Sequence, residues 1–300
     1  MSARIVCWSL LIVAGIVPPG RAQVRKGSPS YEGHLKVGGL YFDNFFQTSP
    51  GGPEENVWAA QLEGRVGRRL RSASPLEVYV EADYLRYDAF DPSYGITLGL
   101  RREARPHGFH VSALYLAGRP SREARDVLDR ASIRGLDGEY SYRVSEDVEV
   151  LGLGEYRHES FELVADEALD VYNLGGALRY RGFGRRFSPE VGVRLGARSA
   201  TNPNEDLTQR ELSVRVRSAA TRDLYLTFRF RHRRRPYSVD DPGASNFERL
   251  DRRKQWTATA DWKRTRLTWN LYYALEDSAS TRPSGVFRTQ LLALGVTFPF

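Results

Sequence analysis

The chain has 300 residues, of which 41% are hydrophobic and 27% are charged, and it carries a formal net charge of +7. This apolar content is enough for a large core, but after the first apolar segment no window approaches the ~18 consecutive apolar residues of a membrane-spanning helix. A helical membrane protein is therefore excluded. The single cysteine, Cys7, excludes a disulfide framework and a zinc–thiolate site.

Residues 1–22 have the pattern of a secretory signal peptide. Arg4 supplies an early positive charge, an apolar stretch covers residues 10–17, and two prolines end that stretch. Small residues before the cut predict cleavage after Ala22, which leaves residues 23–300 as one mature domain. The alternative, a membrane-anchoring helix, needs a longer apolar run than this segment offers. We therefore expect the protein to leave the cytoplasm.

Segments in which apolar and polar residues alternate strictly fill the mature chain. The clearest segment covers residues 223–232. Its apolar residues are Leu224, Leu226, Phe228 and Phe230, and the residues between them are Tyr225, Thr227, Arg229 and Arg231. A period of two places these sets on opposite faces of a β-strand, whereas a helix would spread both sets around its surface.

Fourteen such segments predict fourteen strands of about ten residues each. Their centres lie near Val37, Leu62, Val80, Leu98, Ala113, Glu139, Gly152, Gly176, Val193, Val214, Phe228, Ala258, Leu271 and Leu294. The connections between them alternate in length. Short ones are predicted at 71–75, 144–147, 219–223 and 263–266, and long ones at 48–56, 118–131, 197–209, 233–251 and 276–285. In a barrel of hairpins, alternate connections emerge at opposite ends.

The even strand number, the alternating connections, the secretion signal and the aromatic terminus together resemble the outer-membrane β-barrels of bacteria. The closing strand carries the most specific part of the resemblance, because one of its faces is formed by Leu292, Leu294, Val296, Phe298 and Phe300. The resemblance implies an all-β, closed antiparallel up-and-down transmembrane barrel in the cell outer membrane. Its short turns would be periplasmic and its long loops extracellular, and the closing strand would pair with the first strand near residues 35–42.

The resemblance also implies partners for the chain. The barrel-insertion machinery would read Phe298 and Phe300 as an assembly signal, and the wall would contact outer-membrane lipid and lipopolysaccharide. Pro299 departs from the usual pattern, and its missing N–H is expected to weaken the last rung of the ladder. The first predicted strand begins near Tyr31, so we expect no plug or periplasmic module ahead of the barrel.

The apolar face of the strands carries aromatic residues where a membrane barrel needs them. Trp256 and Trp262 share a face, six residues apart, which corresponds to roughly 15 Å of height in a tilted strand. Aromatic side chains favour the two interfaces of a bilayer. The alternative is that these residues belong to the core of a secreted β-sandwich or solenoid.

Known catalytic and metal-binding motifs are absent from the sequence, so we expect neither an enzyme nor a cofactor or metal. The segment from His158 to Ser160 offers a histidine and a serine, as the active sites of outer-membrane phospholipases do, but it lacks their flanking pattern. The basic run 231–235 leads into the longest loop, where we expect it to meet lipopolysaccharide or an external solute rather than nucleic acid.

The polar face of the strands is charged in two blocks, which predicts two arcs of opposite charge on the inner wall. The predicted pore-lining acidic residues are Glu63, Glu77, Glu81, Asp83, Asp137, Glu139, Glu149 and Glu155. The predicted pore-lining basic residues are Arg179, Arg181, Arg194, Arg198, Arg215, Arg217, Arg229 and Arg231. Fourteen tilted strands give a backbone radius of roughly 14 Å, too wide for apolar packing to close.

These features favour an outer-membrane channel for the passive diffusion of small hydrophilic or anionic solutes. An alternative for the interior of this channel is that arginines cross to the carboxylates and close the bore with ion pairs. A second hypothesis is a non-conducting barrel that forms the membrane part of an export or surface-assembly system. A barrel hydrolase is the third.

Overall fold

A computed structural model describes residues 31–43, 56–71, 74–104, 106–121, 129–162, 167–182, 186–239, 242–244 and 246–300. The predicted signal peptide, residues 1–22, lies outside the described residues.

The described chain forms fourteen β-strands, and each contains one of the predicted centres. They are β1 (Tyr31–Asp43), β2 (Val57–Arg71), β3 (Ser74–Tyr87), β4 (Ser93–Glu103), β5 (His107–Ser121), β6 (Asp129–Arg143), β7 (Val148–Phe161), β8 (Ala168–Tyr180), β9 (Phe187–Ala200), β10 (Leu207–Ala219), β11 (Leu224–Pro236), β12 (Leu250–Arg264), β13 (Leu267–Ser280) and β14 (Phe287–Pro299). Two short 3₁₀ turns, Pro203–Glu205 and Pro283–Gly285, lie in connections. No helix in the described part of the chain is long and apolar enough to cross a membrane.

The strands form one closed antiparallel barrel in which each strand pairs with its neighbours in the chain. The first and last strands close it, in a register that runs from His34 opposite Pro299 to Asp43 opposite Gln290. This pairing confirms the predicted closure and the predicted up-and-down order. A closed sheet leaves no unpaired edge, which is the condition for a sheet to span lipid.

The strands are longer than the predicted length of about ten residues, since they contain 11 to 15 residues each. The extra residues come from segments that the sequence assigned to long connections. Strand β11 continues to Pro236 and β12 begins at Leu250, so only residues 237–249 connect them. Outside the lipid both faces of a strand meet water, and the alternation that reveals a strand disappears there.

The outer wall is apolar, although it is exposed. Leu174 is 73% exposed, Trp58 is 60% exposed and Phe228 is 55% exposed, and most large exposed hydrophobic residues lie at alternate positions of the strands. Contiguous apolar surface of this extent is unfavourable in water and favourable against acyl chains. The aromatic residues Trp256 and Trp262 lie on this outer wall.

The last rung of the seam is not weakened by Pro299. The Phe300 N–H donates to the Gly33 carbonyl oxygen at 3.0 Å, and the Gly33 N–H donates to the Phe300 carbonyl oxygen at 3.1 Å. Neighbouring residues of a strand direct their N–H groups to opposite sides, so the Pro299 nitrogen faces away from β1. On that side the pairing with β13 ends at Thr268 opposite Thr297. The expectation of a weakened rung was therefore wrong.

A side chain at Gly38 is expected to destabilise the seam. A Cβ atom there would lie 2.7 Å from the Leu294 carbonyl oxygen and 3.2 Å from the Gly295 Cα, so the backbone would have to shift. We expect Gly38→Ala to lower the free energy of unfolding by about 1–3 kcal/mol, measured by urea titration of the refolded barrel. Gly152→Ala is the matched control, because nothing lies within 4 Å of its added Cβ. Equal effects of the two variants would contradict this explanation.

Candidate functional site: the charged inner wall

The predicted pore-lining residues lie at positions that alternate with the lipid-facing ones, and their side chains therefore point into the barrel. The acidic residues are Glu63 on β2, Glu77, Glu81 and Asp83 on β3, Asp137 and Glu139 on β6, and Glu149 and Glu155 on β7. The basic residues are Arg179 on β8, Arg181 directly after it, Arg194 and Arg198 on β9, Arg215 and Arg217 on β10, and Arg229 and Arg231 on β11.

The strand order puts the acidic residues of β2 and β3 opposite the arginines of β9 and β10, whereas the acidic residues of β6 and β7 lie next to the arginine of β8. Strands β2 and β3 lie halfway round the ring from β9 and β10. Carboxylates such as Glu81 and Asp83 therefore face arginines such as Arg194 and Arg215 across the interior. The backbone radius of such a barrel is roughly 14 Å, which is more than the length of one arginine side chain.

An ion-pair ladder follows the wall from β7 to β10. Glu149 accepts hydrogen bonds from Arg181 at 2.6 Å and from Arg179 at 2.8 Å. Arg179 also donates to Glu190 at 2.8 Å, and Arg215 donates to the same Glu190 oxygen at 2.5 Å. The strand register explains the ladder, because Glu149, Arg179, Glu190 and Arg215 lie directly opposite one another in turn.

On the acidic side, a carboxylate of β3 also binds arginines from both neighbouring strands. Glu77 accepts hydrogen bonds from Arg65 on β2 at 3.0 Å and from Arg101 on β4 at 2.7 Å. Glu63 contacts Lys36 on β1 at 3.4 Å. Throughout the described strands, ion pairs join elements that are neighbours or next neighbours in the wall. The arginines of these pairs therefore bind carboxylates along the wall and not across the bore.

Some charged groups on each side form no direct ion pair within the described residues. Glu81, Asp83 and Asp137 form no ion pair with another described residue, and Arg229 on the opposite side has none either. Like charges also lie in direct cross-strand register: Glu63 opposite Asp83, Asp137 opposite Glu155, and Arg215 opposite Arg229. Such pairs cost stability in a sheet.

The barrel wall divides the basic run 231–235, whereas the sequence was interpreted as one basic segment that leads into the longest loop. Arg231, Arg233 and Arg235 point inward, and His232 and Arg234 point outward. Arg233 lies 3.3 Å from Glu211 and 4.0 Å from Glu276, Arg231 donates to Gln255, and Arg235 donates to Gln209 at 2.7 Å. If the alternation of inward and outward side chains in residues 224–231 is continued beyond Arg231, it predicts that Arg233 and Arg235 point inward and that His232 and Arg234 point outward.

A buried polar cluster pins the connection between β11 and β12 to the barrel. Arg249 donates to both Asp251 carboxylate oxygens, at 3.0 and 3.2 Å, and to the Asn246 side chain at 2.8 Å. Asn246 donates to the Asn204 carbonyl oxygen at 2.8 Å, which ties this connection to the one between β9 and β10. The cluster could not be predicted from the sequence, because its members come from two separate segments, 204 and 246–251, without a periodic pattern.

His158 lies on the outer wall near the long connections. Its Nδ1 is 3.1 Å from an Asp170 oxygen, to which the Tyr156 hydroxyl also donates at 2.9 Å. The Ser160 hydroxyl donates to the Ser132 carbonyl oxygen at 3.5 Å, and no hydrogen bond joins it to His158 in the described structure. The described residues also contain no group of three histidine, cysteine, aspartate or glutamate side chains that could hold a metal ion.

The two predicted assembly residues lie at the end of the barrel that carries the short connections. Phe298 and Phe300 are on the outer face and are 43% and 50% exposed. Phe300 lies beside Gly33, the residue to which its backbone is bonded.

No family model and no curated protein sequence matches the chain. The chain is similar in structure to OmpT, an outer membrane protein of Vibrio cholerae, with 10% identity and a TM-score of 0.51 over 94% of this chain and 100% of that one. It is also similar to DcaP, an outer membrane channel of Acinetobacter baumannii, with 9% identity and a TM-score of 0.50 over 94% and 99% of the two chains. The fold is thus that of outer-membrane β-barrels.

Proposed function

We propose that this outer-membrane β-barrel is a channel through which small hydrophilic solutes diffuse passively, with a preference for anions. The observation that carries the proposal is the pair of oppositely charged sides of the inner wall, each of which has charged groups that form no ion pair within the described residues. Asp83 lies opposite Glu63 and Arg229 lies opposite Arg215, and such like-charged pairs cost stability. Hydrated solutes between such walls meet a transverse field and polar groups that can replace their water.

The preference for anions follows from the position of the arginines. Arg231, Arg233 and Arg235 succeed one another on the inner face of β11, on the side where the long connections emerge. Clustered positive charge beside a low-dielectric wall raises the local concentration of anions. Anions are therefore attracted to the extracellular mouth of the barrel.

Osmotic swelling of proteoliposomes tests the proposal. Vesicles that contain the purified full-length barrel are expected to admit small sugars and, at equal size, anions faster than cations. Vesicles without protein are the control. Absence of permeation for every small solute would contradict the proposal and favour the alternative, a non-conducting component of an export or surface-assembly system.

The proposal makes the protein a channel and not an enzyme. A hydrolase would use His158, whose bond to Asp170 orients the ring, with Ser160 as nucleophile. Ser160 is bonded elsewhere, which argues against that function. Lipase and protease assays on the purified barrel and on His158→Ala test this point, and hydrolysis that is lost in the variant would contradict it.

The partners of the chain belong to the same proposal: outer-membrane lipid and lipopolysaccharide around the wall, small polar solutes within it, and the insertion machinery at its C-terminal strand. The exposed ring of Phe300 supports the last of these. We expect Phe300→Ala to reduce the amount of barrel in the outer membrane of cells severalfold, while refolding in detergent stays unchanged. A loss of both would assign Phe300 to barrel stability instead of recognition.

A further inference from the structure

We propose that five basic side chains on the lipid-facing wall bind the phosphate groups of a diphosphorylated glycolipid in the outer leaflet. We call them the outer basic patch, and they are Arg210, His232, Arg234, Arg252 and Lys254. The inference rests on the lipid partner of the proposed function and assigns it a site. The patch lies outside the bore, so failure of the inference is distinguishable from failure of the channel.

Three strands bring the patch together. Arg210 on β10 lies opposite Arg234 on β11, and Arg234 lies opposite Arg252 on β12. His232 and Lys254 form a second opposed pair next to them. These positions lie on the same face as the lipid-facing residues Phe228 and Trp256. His232 is four residues from Phe228, and Lys254 is two residues from Trp256.

The patch concentrates four positive charges, those of Arg210, Arg234, Arg252 and Lys254, beside the His232 ring. Directly opposed side chains in a sheet have Cβ atoms about 5 Å apart, at which like charges repel. In the part of the chain that the structure describes, none of the five side chains forms an ion pair or a hydrogen bond. The nearby acid Asp277 lies opposite Lys254, but Arg288 already holds it at 2.6 Å. A bound anion would turn this repulsion into charge-assisted hydrogen bonds.

The height of the patch identifies the anion as a lipid headgroup. Lys254 is two residues from Trp256, or about 7 Å along the strand, and a tryptophan of this kind lies at the boundary between acyl chains and headgroups. The long connection 237–249 follows β11 directly, so this is the outer leaflet. A cavity of about 640 Å³ lies here, lined by patch residues together with Trp256 and Asp277.

The width of the patch favours a headgroup with two phosphates. From Arg210 to Arg252 the row spans three strands, about 10 Å, which is more than one phosphate fills. A glycolipid with a phosphate at each end of a disaccharide meets both the width and the charge. Solutes in the bore cannot reach the patch, because the wall lies between.

Native mass spectrometry of the full-length barrel in non-ionic detergent tests the proposal. The probes are diphosphorylated lipid A, its dephosphorylated form, phosphatidylglycerol and inorganic phosphate. We expect Arg234→Glu with Arg252→Glu to weaken lipid A binding by about tenfold or more. The matched control is Arg222→Glu with Arg264→Glu, which reverses two exposed arginines at the other end of these strands and should leave binding unchanged.

Three results would overturn the inference. The first is equal lipid A affinity of the patch variant and the control. The second is equally tight binding of dephosphorylated lipid A, which would assign the binding to acyl chains. The third is competition by phosphatidylglycerol or inorganic phosphate at the concentration of lipid A, which would show that a single phosphate satisfies the patch.

Discussion

Replacement of both Arg229 and Arg231 with glutamate is expected to turn an anion-preferring channel into a cation-preferring one. The two side chains point into the barrel from β11, halfway round the ring from β4, and they face the acidic arc that includes Glu81 and Asp83 on β3. The double variant removes two positive charges and adds two negative ones beside a low-dielectric wall, where charge controls the local ion concentration strongly. The sign of the reversal potential in a potassium chloride gradient measures the change.

The outward faces of β10 and β11 supply the control for this experiment. Arg210→Glu with Arg234→Glu makes the same change in net charge, but on the outer wall, where both side chains are exposed. We expect this variant to keep the sign of the wild-type reversal potential. If the inner and outer variants shift the potential equally, the selectivity comes from the overall charge of the barrel and not from its inner wall.

Asp251→Ala is expected to lower the free energy of unfolding of the barrel by about 3–5 kcal/mol. Asp251 is 0% exposed and Arg249 is 7% exposed, and two hydrogen bonds join the pair. Removing the carboxylate takes two charge-assisted hydrogen bonds from a buried guanidinium, which costs far more than the loss of an exposed pair. Equilibrium unfolding in guanidinium chloride, with the barrel in lipid vesicles, measures the difference.

An exposed ion pair of the same barrel calibrates this result. Glu32 lies 3.0 Å from Arg69, and both side chains are at least half exposed. We expect Glu32→Ala to change the free energy of unfolding by less than about 1 kcal/mol. Similar losses in Glu32→Ala and Asp251→Ala would show that burial does not set the value of the Arg249–Asp251 pair.

Alternation predicted the strands well where lipid lies on one side and polar side chains on the other. In residues 224–231 that contrast is complete, so the strand, its faces and the inward direction of Arg229 followed from the sequence. Beyond Arg231 the outward positions become His232 and Arg234, and the contrast is lost although the strand continues to Pro236. The sequence therefore placed the end of β11 too early and missed Arg233 as an inner-wall residue.

The partners of the charged residues could not be predicted from the pattern. Whether Arg179 meets Glu149 and Glu190 depends on the register of three strands, and a one-residue slip would turn these side chains to the other face. The Arg249–Asp251 pair depends further on how residues 246–249 return to the barrel. Strand count and face assignments are local properties, whereas register and loop contacts arise only when the barrel closes.

Single-channel current through the purified full-length barrel in a planar lipid bilayer tests the proposed channel most directly. For a passive channel with the arginines of β11 at its mouth, we expect stepwise conductance. In a potassium chloride gradient, we expect a reversal potential with the sign that results when chloride permeates more easily than potassium. A barrel that inserts but carries no ion current under any applied voltage or salt concentration would contradict this account.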